Sequence, residues 1–255
     1  MPKTPPEARN RPWVVVNMAM SADGKVASAN RRVTRIGSDL DLEELYGLRS
    51  TADAILCGAR TVEETKATLG NGGDRHRKTR LRRGLQEHPV RIVASATGSL
   101  SPDAELWRHR FSPILVLVTP KASPSRLRRL RRLADEVVTY SGSPRSLGAT
   151  LTHLAERWGV RRLVVEGGGV LNAALFAADF VDELHLTVCP LLMGGRAAPT
   201  IADGEGPEKL AYASKFRLRT TRLRGRELFA VYLRERSTPD APKHPIPERS
   251  PSKRS

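Results

Sequence analysis

Cysteine is nearly absent: Cys57 and Cys189 are the only two among 255 residues. Two thiols build neither a disulfide framework nor a zinc site, and no second His, Cys or acid stands at metal-ligand spacing, so no metal is expected. Aromatic residues are scarce at 5%. None interleaves with the basic runs, which argues against a stacking platform for nucleic acid. Long hydrophobic runs are missing as well. The most apolar stretch, 113–119, is far shorter than the roughly 20 residues a bilayer span needs. The first dozen residues carry four prolines and no apolar segment, unlike a secretory signal. The expectation is a cytoplasmic globular protein with no membrane partner.

Acidic residues are also in deficit, 27 against 43 Lys and Arg, for a net charge of +16. The excess is confined to 1–12, 75–91, 126–132 and 236–255, and the rest of the chain is neutral. A basic framework built for nucleic acid would weave its charge through the fold. Here the pattern reads as solubility, with at most non-specific attraction to polyanions. The 39% hydrophobic content supports one domain over 13–235, interrupted by a basic insertion at about 71–89. The flanks 1–12 and 236–255 are Pro-rich or core-poor and are expected to be disordered.

Within 13–235, apolar β-branched runs predict buried strands at 13–18, 53–57, 90–94, 114–118, 136–140, 162–166 and 183–189. Helical spacing predicts helices at 38–50, 126–134, 146–158 and about 171–178, the first capped by Ser38. Two alternating segments, 213–223 and 227–234, flank Arg224-Gly225-Arg226 as a hairpin. Strands alternating with helices predict an α/β fold. Its central sheet is mostly parallel, with helices on both faces and a C-terminal antiparallel hairpin.

The sharpest local feature is Glu166-Gly167-Gly168-Gly169-Val170-Leu171-Asn172, where a buried strand runs into three glycines and opens a helix. Glycines admit close backbone approach, and a helix N-terminus offers unpaired N–H groups to an anion. The pattern is neither the Rossmann fingerprint, since Asn172 replaces the third spaced glycine, nor a P-loop. It reads as a phosphate cradle, against the alternative of a tight turn with no ligand. Glu166 meets either a polar heterocycle or only solvent and a helix cap. Asp23 in Ala22-Asp23-Gly24 reads as a turn stabiliser. Gly58-Ala59-Arg60-Thr61 is another strand-to-helix exit able to touch phosphate or ribose. No nucleophile elbow is present, and no residue is assigned as catalytic acid or base.

Taken in order, these motifs resemble the riboflavin-pathway reductases of the RibD C-terminal type. The first half is carried by 17–25 (NMAMSADGK), Leu48-Arg49-Ser50, Ala52-Asp53-Ala54-Ile55 and Gly58-Ala59-Arg60-Thr61-Val62. The second half is carried by 165–172 (VEGGGVLN), Val181-Asp182-Glu183-Leu184 and 190–195 (PLLMGG). The resemblance implies a dihydrofolate-reductase-like fold and NADPH as cofactor. It implies hydride transfer to the sugar C1′ of a phosphoribosylamino-pyrimidine, deaminated or not, to give a ribityl chain. It implies a homodimer. Carried over by motif, Ala19, Thr61, Thr65, Gly167, Gly168, Gly169, Val170, Leu171 and Asn172 should line the cofactor. Thr34, Arg35, Ser38, Arg49, Leu69 and Glu166 should face the substrate, with Arg49 and Arg35 as partners for its phosphate.

One stretch departs from the family pattern. At 63–70 (EETKATLG) the usual paired aspartates and proline are absent. Thr65 and Leu69 occupy matching places, with Arg75 or Arg77 as the replacement for a basic residue. The H-x-E and P-C-x-x-C deaminase signature is also missing, so the reading is a reductase alone. Alternatives are a reductase of another pterin or pyrimidine such as dihydrofolate, or a non-catalytic nucleotide- or nucleic-acid-binding protein on the same fold.

Overall fold

The computed structural model describes residues 10–32 and 35–235. Thr34, residues 1–9 and the whole of 236–255 lie outside them. Among the described residues, nine strands form one sheet: β1 (Trp13–Ser21), β2 (Ala54–Gly58), β3 (Val90–Ala94), β4 (Ile114–Val118), β5 (Glu136–Thr139), β6 (Arg162–Val165), β7 (Glu183–Cys189), β8 (Phe216–Arg224) and β9 (Glu227–Arg234). Their order is β5-β4-β3-β2-β6-β1-β7-β9-β8. The pairs from β5 through to β7 are all parallel, as β1 with β6 and β7 show. β9 lies antiparallel to β7, and β8 antiparallel to β9. The α/β architecture with its closing hairpin is as the sequence predicts, with β1 running on to Ser21 rather than ending at Met18 and β8 beginning at Phe216 rather than Ala213.

Helices fill the crossovers: α1 (Asp39–Arg49), α2 (Ala59–Glu64), α3 (Asp74–Arg82), α4 (Glu105–Arg108), α5 (Pro124–Leu133), α6 (Pro144–Trp158) and α7 (Gly169–Ala177). Alternation along the strands divides the core between the two faces of the sheet. Ala54, Leu56 and Ile92 meet Leu147, Leu151 and Leu154 of α6 and Leu175 of α7. Ile55, Cys57 and Val93 meet Val62 of α2, Leu106 of α4 and Leu130 of α5. Side chains buried this completely each contribute about 1.5–3 kcal/mol. Ser123 and Ser143 cap α5 and α6, each with proline in the first turn, and Gly159 ends α6 in the left-handed conformation.

Three findings revise the reading of the basic segments. Residues 71–89 contain α3, whose Arg80 is fully buried. Its Nη1 donates to the carbonyls of Arg49 and Ala52, both at 2.6 Å, and its Nε to that of Gln86 at 2.9 Å. This cation closes the C-terminal end of α1, so it is structural rather than solubilising. Arg91 is likewise buried, bonded to the carbonyl of Ser112 and lying 4.1 Å over the Phe111 ring. Arg11, expected in a disordered segment, forks onto Asp182 at 2.7 and 3.0 Å. Asp182 also accepts from the N–H of Val14 at 2.9 Å, which ties the start of β1 to the start of β7.

The chain order places a switch point in the sheet. From β2 it moves outward through β3, β4 and β5, then returns to insert β6 between β2 and β1. In open α/β sheets the crevice beyond the carboxyl ends of such strands is where ligands bind.

Candidate active site

A cavity of about 750 Å³ opens at the carboxyl ends of β1, β2 and β6. Its floor is the junction of two strand-to-helix exits. β2 leaves through Gly58 into α2, and β6 leaves through Glu166-Gly167-Gly168 into α7. The N–H of Gly58 donates to the carbonyl of Gly167 at 3.1 Å. A Cβ on Gly58 would lie 3.5 Å from the Cα of Gly168, so the two backbones are in contact.

Each glycine of the triplet has its own reason. Gly167 and Gly168 have φ of 103° and 108°, a region closed to side chains in practice. Gly169 is helical, but a Cβ there would press to 2.8 Å on Asp203 Oδ2. Thus two glycines shape the turn and the third admits the 200–203 loop. What remains open to the cavity is side-chain-free backbone at the head of α7, whose first N–H groups have no intrahelical acceptor. Thr61 of α2 lies on the same wall. Such a surface suits a dinucleotide pyrophosphate.

One wall of the cavity is α1, which presents Asp41, Leu42, Leu45, Tyr46 and Arg49 along one face. Arg49 and Glu166 are both buried and form a two-pronged pair, Nε to Oε1 and Nη2 to Oε2, each 2.6 Å. The third arm, Nη1, donates to the carbonyl of Gly70 at 2.7 Å. Burial alone would make the guanidinium easier to deprotonate, but the Glu166 carboxylate reverses that and raises its pKa. The pair therefore joins α1, β6 and the 63–70 stretch. Cys57 lines the cavity beside it, and burial pushes its thiol up to about 12, so it is no nucleophile.

The structure brings together most of the residues singled out from sequence. Ala19, Thr61, Thr65, Gly167, Gly168, Gly169 and Val170 share the cavity with Arg35, Arg49, Leu69 and Glu166. Three others are placed elsewhere. Leu171 packs in the core. Asn172 is fully buried, its amide donating to the carbonyl of Ile201 at 2.8 Å. Neither side chain is among the cavity's lining, because a helix starting at Gly169 turns Leu171 into the core and Asn172 onto the 200–203 loop. Ser38 is the N-cap of α1, and its hydroxyl and N–H donate to Glu227 at 2.6 and 2.7 Å. Arg49, expected to meet the substrate phosphate, gives three of its five N–H donors to Glu166 and Gly70. Arg75 and Arg77 also fall outside the cavity lining, paired with Glu43 and with Asp74 and Glu87.

Sequence reasoning missed Asp41, Tyr46, Lys66 and Asp203, all cavity residues. The i, i+4, i+8 spacing puts Asp41, Leu45 and Arg49 on one face of α1 but does not say that this face meets a cavity. Lys66 is the basic residue of the altered stretch. It and Leu69 have φ of 51° and 55°, an uncommon conformation for such side chains. Asp23, by contrast, is the turn stabiliser the sequence suggests. It accepts from Ser21 Oγ and from the N–H groups of Met193 and Gly194 at 3.2 and 2.8 Å. Those bonds, the serine's first, hold its pKa at about 2.

Comparison with known proteins agrees with this geometry. The model of the RibD C-terminal domain matches residues 12–229. A 2,5-diamino-6-ribosylamino-4(3H)-pyrimidinone 5′-phosphate reductase of Methanothermobacter thermautotrophicus is 31% identical over 87% of this chain and 98% of its own. The protein of the same name from Archaeoglobus fulgidus is 34% identical over 76% of this chain and 88% of its own. Among solved structures, a pyrimidine reductase-like protein of Corynebacterium diphtheriae shares the fold, with a TM-score of 0.74 at 21% identity over 89% of this chain and 94% of that one. Acinetobacter baumannii RibD, form 1, superposes with a TM-score of 0.70 at 19% identity, and this chain spans 59% of it. The chain belongs to the RibD C-terminal domain family.

Proposed function

We propose that this protein is the NADPH-dependent reductase of riboflavin biosynthesis. On this reading its substrate is 2,5-diamino-6-ribosylamino-4(3H)-pyrimidinone 5′-phosphate, the molecule named for its relatives. The observation that carries the reading is the glycine junction at the head of α7, opening onto a cavity of about 750 Å³. NADPH, when bound, supplies the hydride that reduces the sugar C1′.

The protein's part is position and electrostatics. The N–H groups of Gly169 and Val170 and the hydroxyl of Thr61 hold the cofactor pyrophosphate. Met18, whose sulfur stands 3.1 Å from a Cβ built on Gly167, fills the space behind the junction. The Arg49–Glu166 pair fixes α1 against β6, so that the substrate wall keeps its distance from the cofactor wall. Arg35, which also donates to the carbonyl of Gly37 and to Asp39, and Lys66 are further cavity cations able to partner the substrate phosphate beside Arg49. Apolar Leu42 and Leu45 and the Tyr46 ring give the flat pyrimidine a surface to lie on.

The protein acts as a cytoplasmic homodimer on this reading. Leu218, Leu223 and Leu228, at 53%, 75% and 40% exposure, leave an apolar edge on the closing hairpin that a second copy covers. Light scattering at micromolar concentration is expected to give twice the chain mass, and a monomer would contradict this. The functional reading is tested by NADPH titration of wild type and Gly168→Asp. The substitution sets a carboxylate in the cradle on a backbone at φ 108° and is expected to raise the dissociation constant by about two orders of magnitude. Unchanged affinity would remove the cradle assignment.

A further inference from the structure

Three carboxylates line the cavity: Asp41, Glu166 and Asp203. Two are committed. Glu166 gives both oxygens to Arg49. Asp203 gives Oδ1 to the N–H and hydroxyl of Thr200 at 2.9 and 3.0 Å, while its Oδ2 lies against Gly169. Asp41 differs. It is half-buried on the first turn of α1 and accepts one side-chain hydrogen bond, from Thr187 of β7. A carboxylate has about four acceptor sites; with Oδ2 packed against Gly37 and one bond from Thr187, Asp41 keeps acceptor capacity on the cavity that it lines.

Its surroundings make that vacancy costly. Burial disfavours the charge first, and the carboxylates of Glu227 on β9 and Glu44 on α1 add to this. The Thr187 bond and Arg35 oppose it, with the net effect of raising the carboxyl's pKa. A pair of N–H donors from a ligand would relieve the penalty. Phosphate offers no such donors and would be repelled. The substrate offers several adjacent donor pairs, but its 5-amino/6-ribosylamino edge and its ribose diol are shared with the uracil form, and the 2-amino group beside N3–H is the pair found on the 2-amino-4-oxopyrimidine alone. Uracil keeps N3–H but shows a carbonyl acceptor at position 2, which faces a carboxylate with like sign.

We propose that Asp41 reads the 2-amino and N3–H edge of the pyrimidine, and so sets this reductase to act before deamination rather than after it. The inference rests on the reductase reading above and deepens it. Leu42, Leu45 and Tyr46 lie next along the same helix face, where the ring would stack. Arg49 stands two turns further on, at the Glu166 end of the cavity. The orientation follows from α1 itself: base recognition at its N-terminal end and the anchored ion pair at its C-terminal end.

The test compares kcat/KM for the 2,5-diamino-pyrimidinone and the 5-amino-uracil substrates in wild type and Asp41→Asn. A buried acceptor built for a donor discriminates strongly, and the wild-type preference for the diamino form is expected at about 100-fold. An asparagine presents one acceptor and one donor, which suits uracil. The ratio is expected to fall at least tenfold, mainly through KM, with NADPH affinity unchanged. A loss shared equally by both substrates would mean a merely structural role and overturn the inference. So would a wild type that prefers uracil. A wild type that binds NADPH and reduces neither pyrimidine would overturn the reductase reading and this inference with it. If Asp41→Asn fails to fold, as judged by lost NADPH binding, Asp41→Ser carries the same comparison, with the same ratio deciding.

Discussion

Arg49 illustrates how a residue identified from sequence takes a further role once its partners are known. Its motif implied a phosphate ligand, and in the fold three of its five N–H donors hold Glu166 and Gly70. Truncating it strands a buried carboxylate, and breaking a buried pair from one side costs about 3–5 kcal/mol. Arg49→Ala is therefore expected to lower stability in urea melts by that order and to impair substrate more than cofactor binding. Stability within 1 kcal/mol of wild type would mean that Glu166 finds other partners. Glu183 offers a pH test. Burial would raise its pKa, but His185, Arg162 and Trp13 bring it down to about 2 from 4.5. A carboxylate depressed in the folded state stabilises the fold above pH 4.5 and loses that contribution as pH falls toward 2. Glu183→Gln is expected to flatten the decline in stability across this window, followed by thermal melts. An unaltered slope would show that the acid transition is governed elsewhere.

At the scale of elements, α1 and α3 work as one unit. Arg80 of α3 satisfies the carbonyls of Arg49 and Ala52 where α1 ends, so the inserted helix braces the helix that forms the substrate wall. Arg80→Leu leaves those buried acceptors without a donor, at about 1–3 kcal/mol each. It is expected to raise substrate KM with little change in NADPH affinity, checked by steady-state kinetics and titration. The element also shows where the sequence was illegible. Residues 75–83 are so rich in Arg and Lys that periodicity gives no inward face, and a fully buried arginine has no signature in a pattern of apolar residues. The central strands were legible as continuous apolar runs, and α6 because its apolar residues repeat at three to four. The Gly167 turn was legible for a different reason: consecutive glycines mark backbone that side chains cannot adopt. Asp41 was not, because a charged residue in the first turn of a helix is ordinary and only the tertiary arrangement shows that it faces a cavity.

For the whole molecule, the decisive feature is the insertion of β6 between β2 and β1. It brings the Gly58 and Gly168 exits together and sets α1 across from α7, forming one cavity with a backbone-lined cofactor wall and a side-chain-lined substrate wall. The alternation of strands and helices foretold the parallel sheet, and the family resemblance supplied its arrangement. Strand order itself has no local code. Of the 43 Lys and Arg residues, Arg31, Arg35, Arg49, Arg60 and Lys66 line that cavity. The most direct measurement of the central claim is NADPH oxidation at 340 nm by the purified protein with 2,5-diamino-6-ribosylamino-4(3H)-pyrimidinone 5′-phosphate. The account predicts turnover that depends on this substrate and is lost in Gly168→Asp. NADPH that binds but is not oxidised with any phosphoribosylamino-pyrimidine would contradict it.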